Sequence, residues 1–202
     1  MVAKIYVEGA AQDSDSERTI CRKAFKVFFA KAGLEGKLPG TVPCGGRKRA
    51  YDAFVTAVRN PQSGALPLLL VDSETAVQKG KTVWEHLKAR PGDNWDKPDG
   101  ARDDQVFLMV QVMESWFLAD REGLKSFFGE HFRVKAIPKW PQLEDVTKQK
   151  VFDALEQSTA ACGPNKYAKG SLSFSLLAAI SPAKVEAASP NAKALFERLR
   201  KL

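Results

Sequence analysis

The sequence predicts an α/β protein: a four-stranded, mainly parallel sheet flanked by helices, with a helical C-terminal extension. Three observations carry this reading. Over the first two thirds of the 202-residue chain, short apolar runs alternate with longer amphipathic segments, the pattern of βαβ units. One run, Leu66-Pro67-Leu68-Leu69-Leu70-Val71, is apolar without alternation, as a strand covered on both faces must be. Beyond residue 120 the apolar spacing turns helical and the spacers shorten. One domain is the default for this length, with residues 1–120 as the α/β core and 121–202 as a helical extension packed on it.

The elements follow in order. Lys4-Ile5-Tyr6-Val7, closed by Glu8-Gly9, reads as the first strand. Ser14-Asp15-Ser16-Glu17 has capping-box spacing and opens a helix whose apolar face carries Ile20, Ala24, Phe25, Phe28 and Phe29, ending near Gly33. Thr41-Val42-Pro43-Cys44 is a short strand that Pro43 marks as edge or irregular, and Gly45-Gly46 turns the chain into a helix over 47–59. The unbroken third strand runs straight into Asp72-Ser73-Glu74. A helix over 83–90 follows, then a polar excursion over 91–104 that contains five Asp, then a fourth strand over 105–113. Helices are predicted over 122–128, 146–160, 171–180 and 191–202.

Composition excludes several classes. The charge is +7, which favours an anionic partner such as nucleic acid or simply serves solubility. Cys21, Cys44 and Cys162 are odd in number and lack pairing spacing, which argues against a disulfide framework or zinc ribbon and fits a reducing, cytoplasmic setting. His86 and His131 stand far apart with no nearby cysteine, so a histidine metal site or triad is unsupported, although a single catalytic histidine stays open. No signal-peptide pattern and no apolar run of spanning length is present, so no membrane association is expected.

The ends of parallel strands gather along one sheet edge, where open α/β proteins bind ligands. Three of the predicted strands put acids there: Glu8 after the first, Asp72 and Glu74 after the third, Glu114 after the fourth. If the chain stays extended, the spacing of Asp72 and Glu74 turns both to the same side. Clustered carboxylates repel unless a cation sits among them, and an all-oxygen set selects Mg²⁺ or Mn²⁺. Each acid taken singly also fits a cap or turn role.

Val7-Glu8-Gly9 followed about sixty residues later by Leu69-Leu70-Val71-Asp72-Ser73-Glu74 resembles the Toprim fold of topoisomerases, primases and overcoming-lysogenization-defect nucleases. In that fold a Glu on the first strand and an Asp-x-Asp pair on a later one bind Mg²⁺; here the second member of the pair is Glu74. A narrower set of phrases resembles the bacterial domain-of-unknown-function family 4276. They are Tyr6-Val7-Glu8-Gly9, Cys21-Arg22-Lys23-Ala24-Phe25, Cys44-Gly45-Gly46-Arg47, Val71-Asp72-Ser73-Glu74, Tyr167-Ala168-Lys169-Gly170-Ser171 and the stretch from Met109 to Asp120 with its Glu-Ser-Trp-Phe-Leu-Ala-Asp core. The resemblance implies a Toprim-like fold and a gene neighbour encoding an AAA or ABC-type ATPase, in a setting suggestive of anti-phage defence.

Basic groups near the same edge would complete a phosphodiester site. Gly45-Gly46-Arg47 offers backbone N–H groups and a guanidinium at a helix start, and Lys169 stands just before another. Arg22, on the first helix, faces either the acids or solvent. Trp116 and Phe117 read as core in preference to a base-stacking platform, and Lys148, Lys150, Lys166 and Lys169 as a loose basic set on the solvated surface, with a nucleic-acid path left open. The leading expectation is a Mg²⁺-dependent nuclease acting on DNA or RNA. Glu8, Asp72 and Glu74 are its metal ligands, Glu114 or Asp120 a further ligand or general base, and Arg22, Gly45, Gly46, Arg47 and Lys169 its phosphate contacts. The rival is a non-catalytic subunit that binds the ATPase or nucleic acid.

Overall fold

The computed structural model describes residues 2–10, 14–60 and 64–202. Four strands, β1 (Val2–Val7), β2 (Gly40–Pro43), β3 (Ala65–Asp72) and β4 (Val106–Met109), form one sheet in the order β2-β1-β3-β4. All three pairings are parallel, with Val7 opposite both Pro43 and Leu70, and Asp72 opposite Met109. Pro43 lies on the edge strand, where a missing N–H breaks no ladder.

Side-chain alternation divides the sheet into two apolar layers. Ile5, Val7, Leu68, Leu70 and Met109 face one core, and Leu69, Val71, Val106 and Leu108 face the other. The second face is covered by α2 (Arg47–Arg59) and α3 (Val83–Ala89), through Ala50, Phe54, Trp84 and Leu87. The first is covered by α1 (Asp15–Phe29) and by the C-terminal helices α4 (Glu114–Ala119), α5 (Arg121–Phe128), α6 (Lys148–Thr159), α7 (Ser171–Ala179), α8 (Pro182–Ala188) and α9 (Pro190–Arg200). A single apolar cluster runs from β1 to α9, with Phe28 stacked on Trp116 at 5.7 Å and tilted against Phe196 at 5.7 Å. The three cysteines are free and buried.

Ser14 accepts the Glu17 N–H at 3.1 Å and caps α1, as its spacing predicts. The helix ends through a wider, π-type turn over Ala30–Leu34 in which Gly33 takes φ 77°. Two sequence expectations need correction. The fourth strand stops at Met109 rather than running to 113, because the chain bends there and sends the Gln111 carbonyl to the Glu74 N–H. Its apolar residues stay buried in the bend, so hydrophobicity alone could not mark the strand end. Helices α4 and α8 were not predicted; each spans two turns or fewer and, unlike the equally short α3, has no capping box to mark its start. Among the described residues no helix is long and apolar enough to cross a membrane.

Candidate metal centre

Glu8 follows the last residue of β1, Asp72 ends β3, and Glu74 lies two residues further on. One carboxylate oxygen from each lies within 4.8 Å of the others. The convergence does not come from continued strand. Glu74 adopts φ 65°, the left-handed region, and this turn brings its side chain back towards Asp72.

Each acid has a definite anchor. Asp72, only 7% exposed, accepts the Met113 N–H at 2.8 Å. Glu8 is approached by Arg47 at 3.4 Å, and Glu74 by Lys148 at 2.5 Å. Arg47 is itself fastened: Nε and one terminal nitrogen grip Asp93 at 2.6–3.0 Å, and the other terminal nitrogen donates to the Asp72 carbonyl. Asp93 also receives Arg90 at 2.8 Å, and Trp95 lies under the guanidinium at 4.9 Å. Arg47, predicted as a phosphate contact, therefore braces the acid side of the site. Burial first, then the neighbouring Glu74, push the Glu8 carboxyl above its ordinary pKa, against the Arg47 charge.

A cavity of about 300 Å³ opens beside the acids, lined among others by Glu8, Asp72, Glu114, Gly45 and Lys169. Gly9 and Gly45 exchange backbone hydrogen bonds of 2.9 and 3.1 Å across its floor. Gly9 has φ 127° and a Cβ there would lie 3.3 Å from the Phe174 ring, so no other residue fits without strain. Glu114 begins α4, is 1% exposed, and has one oxygen held by Tyr167 at 3.0 Å and Ser173 at 3.4 Å. Tyr167 and Ser173 also bond each other at 3.0 Å.

The family described as Domain of unknown function (DUF4276) matches residues 13–200, nearly the whole chain. The chain belongs to the DUF4276 family. No curated protein and no solved structure matches it. In this DUF4276 protein the matched span contains Asp72, Glu74, Glu114 and Lys169, while Glu8 lies just ahead of it.

The remaining predicted residues are placed elsewhere. Gly46 caps the start of α2 beside the cavity, and Arg22 is exposed on α1, outside the cavity lining. Asp120 joins neither the trio nor the lining. It accepts the Gly123 N–H at 2.9 Å, the Ser181 N–H at 2.8 Å and the Lys184 ammonium at 2.6 Å, tying α5 to α8. Sequence reasoning missed Asp93, hidden among the five Asp of a polar segment, and gave Lys148 to the solvated surface. Tyr167 and Ser173 carried a signal only in their proximity to Lys169 and Gly170. Their approach to Glu114 is a tertiary fact.

The trio suits a hard divalent cation. All donors are carboxylate oxygens, and among the described residues no basic side chain bonds the carboxyl group of the nearly buried Asp72.

Proposed function

We propose that this protein is a divalent-cation-dependent phosphodiesterase acting on DNA or RNA, built on a Toprim-like sheet. The observation that carries the reading is the meeting of Glu8, Asp72 and Glu74 within 4.8 Å at the ends of two adjacent parallel strands, with Asp72 buried. Mg²⁺ or Mn²⁺ held there would polarise a phosphoryl oxygen and make bound water more acidic. Asp72 and Glu74 supply oxygens from one turn and Glu8 from the neighbouring strand. Arg47, locked to Asp93, keeps Glu8 from swinging away. Lys169 lines the cavity and meets the negative charge of a phosphate. Glu114 offers the oxygen not bonded by Tyr167 and Ser173 as the acceptor of a proton from attacking water. The resemblance to a Toprim-like family encoded beside an AAA or ABC-type ATPase, in a setting suggestive of anti-phage defence, makes such an ATPase the proposed partner.

The test is cleavage of plasmid DNA and single-stranded RNA with Mn²⁺ or Mg²⁺, alone and with the proposed ATPase partner. Asp72→Ala is expected to abolish metal-dependent cleavage while circular dichroism stays unchanged; cleavage undiminished in that variant overturns the proposal. One observation favours the non-catalytic reading. Arg47 and Lys148 already bring positive charge to Glu8 and Glu74. Failure of the wild-type protein to bind Mn²⁺ at millimolar concentration decides for that reading.

A further inference from the structure

The turn that carries two of the three carboxylates is held unusually firmly. Ser73, between them, is fully buried; its N–H donates to the Met109 carbonyl at 3.0 Å and its hydroxyl to the Thr75 carbonyl at 2.6 Å. The Glu74 N–H donates to the Gln111 carbonyl at 2.7 Å. A non-glycine residue in the left-handed region costs on the order of 1 kcal/mol and persists only where its surroundings fix it. Backbone neighbours from the β4 side supply two of these bonds, and the turn itself supplies a third. The fourth comes from a different element. His86 Nε2 lies 2.9 Å from the Ser73 carbonyl. A carbonyl oxygen only accepts, so Nε2 carries the proton and donates it.

His86 is well placed to hold that position. It is 7% exposed, on α3 between Trp84 and Leu87, two core residues of the layer beneath β3. The helix start is fixed by a reciprocal cap in which the Thr82 hydroxyl accepts the Glu85 N–H at 3.2 Å and the Glu85 carboxylate accepts the Thr82 N–H at 2.7 Å.

We propose that His86 is a positioning residue for the metal centre: its Nε2–H fixes the Ser73 carbonyl, and with it the turn that swings Glu74 towards Glu8 and Asp72. The inference rests on the trio being a cation site. Without the imidazole the buried carbonyl loses its partner, the turn is free to relax, and Glu74 leaves the constellation. Outer partners of this kind change metal affinity about 10- to 100-fold when removed.

The experiment measures Mn²⁺ affinity of the full chain by free-ion electron paramagnetic resonance and by calorimetry, with thermal unfolding run in metal-free buffer alongside. H86L and H86N, the second polar but too short to reach the carbonyl, are expected to bind Mn²⁺ about 10- to 100-fold more weakly. H86Q, whose amide nitrogen lies about where Nε2 lies, is expected to stay within about threefold of the wild type. A purely structural histidine would lower the melting temperature of H86L and H86N and leave their Mn²⁺ Kd unchanged, and that result overturns the proposal. Should H86L fail to fold, H86N decides alone. A wild type that does not bind Mn²⁺ overturns the cation site itself, so the two failures are distinguishable.

Discussion

Burial, then the carboxylates of Glu8 and Glu114, raise the Asp72 carboxyl well above its ordinary pKa, against the pull of the Lys169 ammonium. Unfolded, the same group titrates at about 3.9. Between that value and the raised one the folded chain holds a proton that the unfolded chain has released. The contribution of Asp72 to stability therefore falls as pH climbs from about 4 through the folded pKa, and is level above it. The metal-free protein accordingly gives up stability at neutral pH to keep this carboxylate. Asp72→Asn keeps an oxygen for the Met113 N–H but removes the charge. It is expected to melt higher than wild type in metal-free buffer at pH 7, by about 2–4 °C per kcal/mol gained. A cation bound there competes with protonation of Asp72, so the Mn²⁺-induced rise in wild-type melting temperature grows as pH increases and is absent in D72N. Differential scanning calorimetry at several pH values, with and without Mn²⁺, checks each sign.

At the scale of elements, Gly123 gives a test in which local propensity and tertiary fit disagree. Within a helix alanine outranks glycine by up to about 1 kcal/mol, and Gly123 stands in the first turn of α5. Here a Cβ would run into the Asp120 carboxylate that caps α5 and reaches across to Ser181, just before α8, and to Lys184 within it. Gly123→Ala is expected to destabilise by about 1–2 kcal/mol, through loss of the cap and of the bonds to α8. Denaturant unfolding reads the change, and a more stable G123A refutes the account. The same pair explains why elements were unevenly legible. Residues with a local signature were readable: Ser14 as a cap, Pro43 as an edge residue, Leu66 to Val71 as a buried strand. Residues whose role is set by a distant partner were not. Asp120 reads equally well as a catalytic acid until Ser181 and Lys184 are brought to it.

Across the whole molecule, the sheet core and the C-terminal helices share one apolar cluster. Phe174, Leu177, Leu195 and Phe196 pack in it with Phe25, Phe28 and Leu70, α1 lies against α7, and α9 against β4. A chain ending after residue 170 loses α7, α8 and α9 from the covering of that sheet face. It is expected to show no cooperative thermal transition by calorimetry, whereas a folded, cooperative fragment would make the C-terminal helices an appendage. The site was legible to the same depth as the fold. Glu8 and Asp72 were readable together because the ends of neighbouring parallel strands lie along one sheet edge, while Glu74 reaches them through a left-handed turn that its spacing alone did not show. The braces on them, Arg47 to Asp93, Lys148 to Glu74 and His86 to Ser73, join residues 13 to 74 positions apart and left no local trace.

The far wall of the cavity comes from Lys169, Ser173 and Phe174, more than ninety residues after Asp72. A ribosome thus releases the acids of β1 and β3 well before the segment that confines them. Prematurely terminated products would carry every carboxylate of the trio and no chamber to use them in.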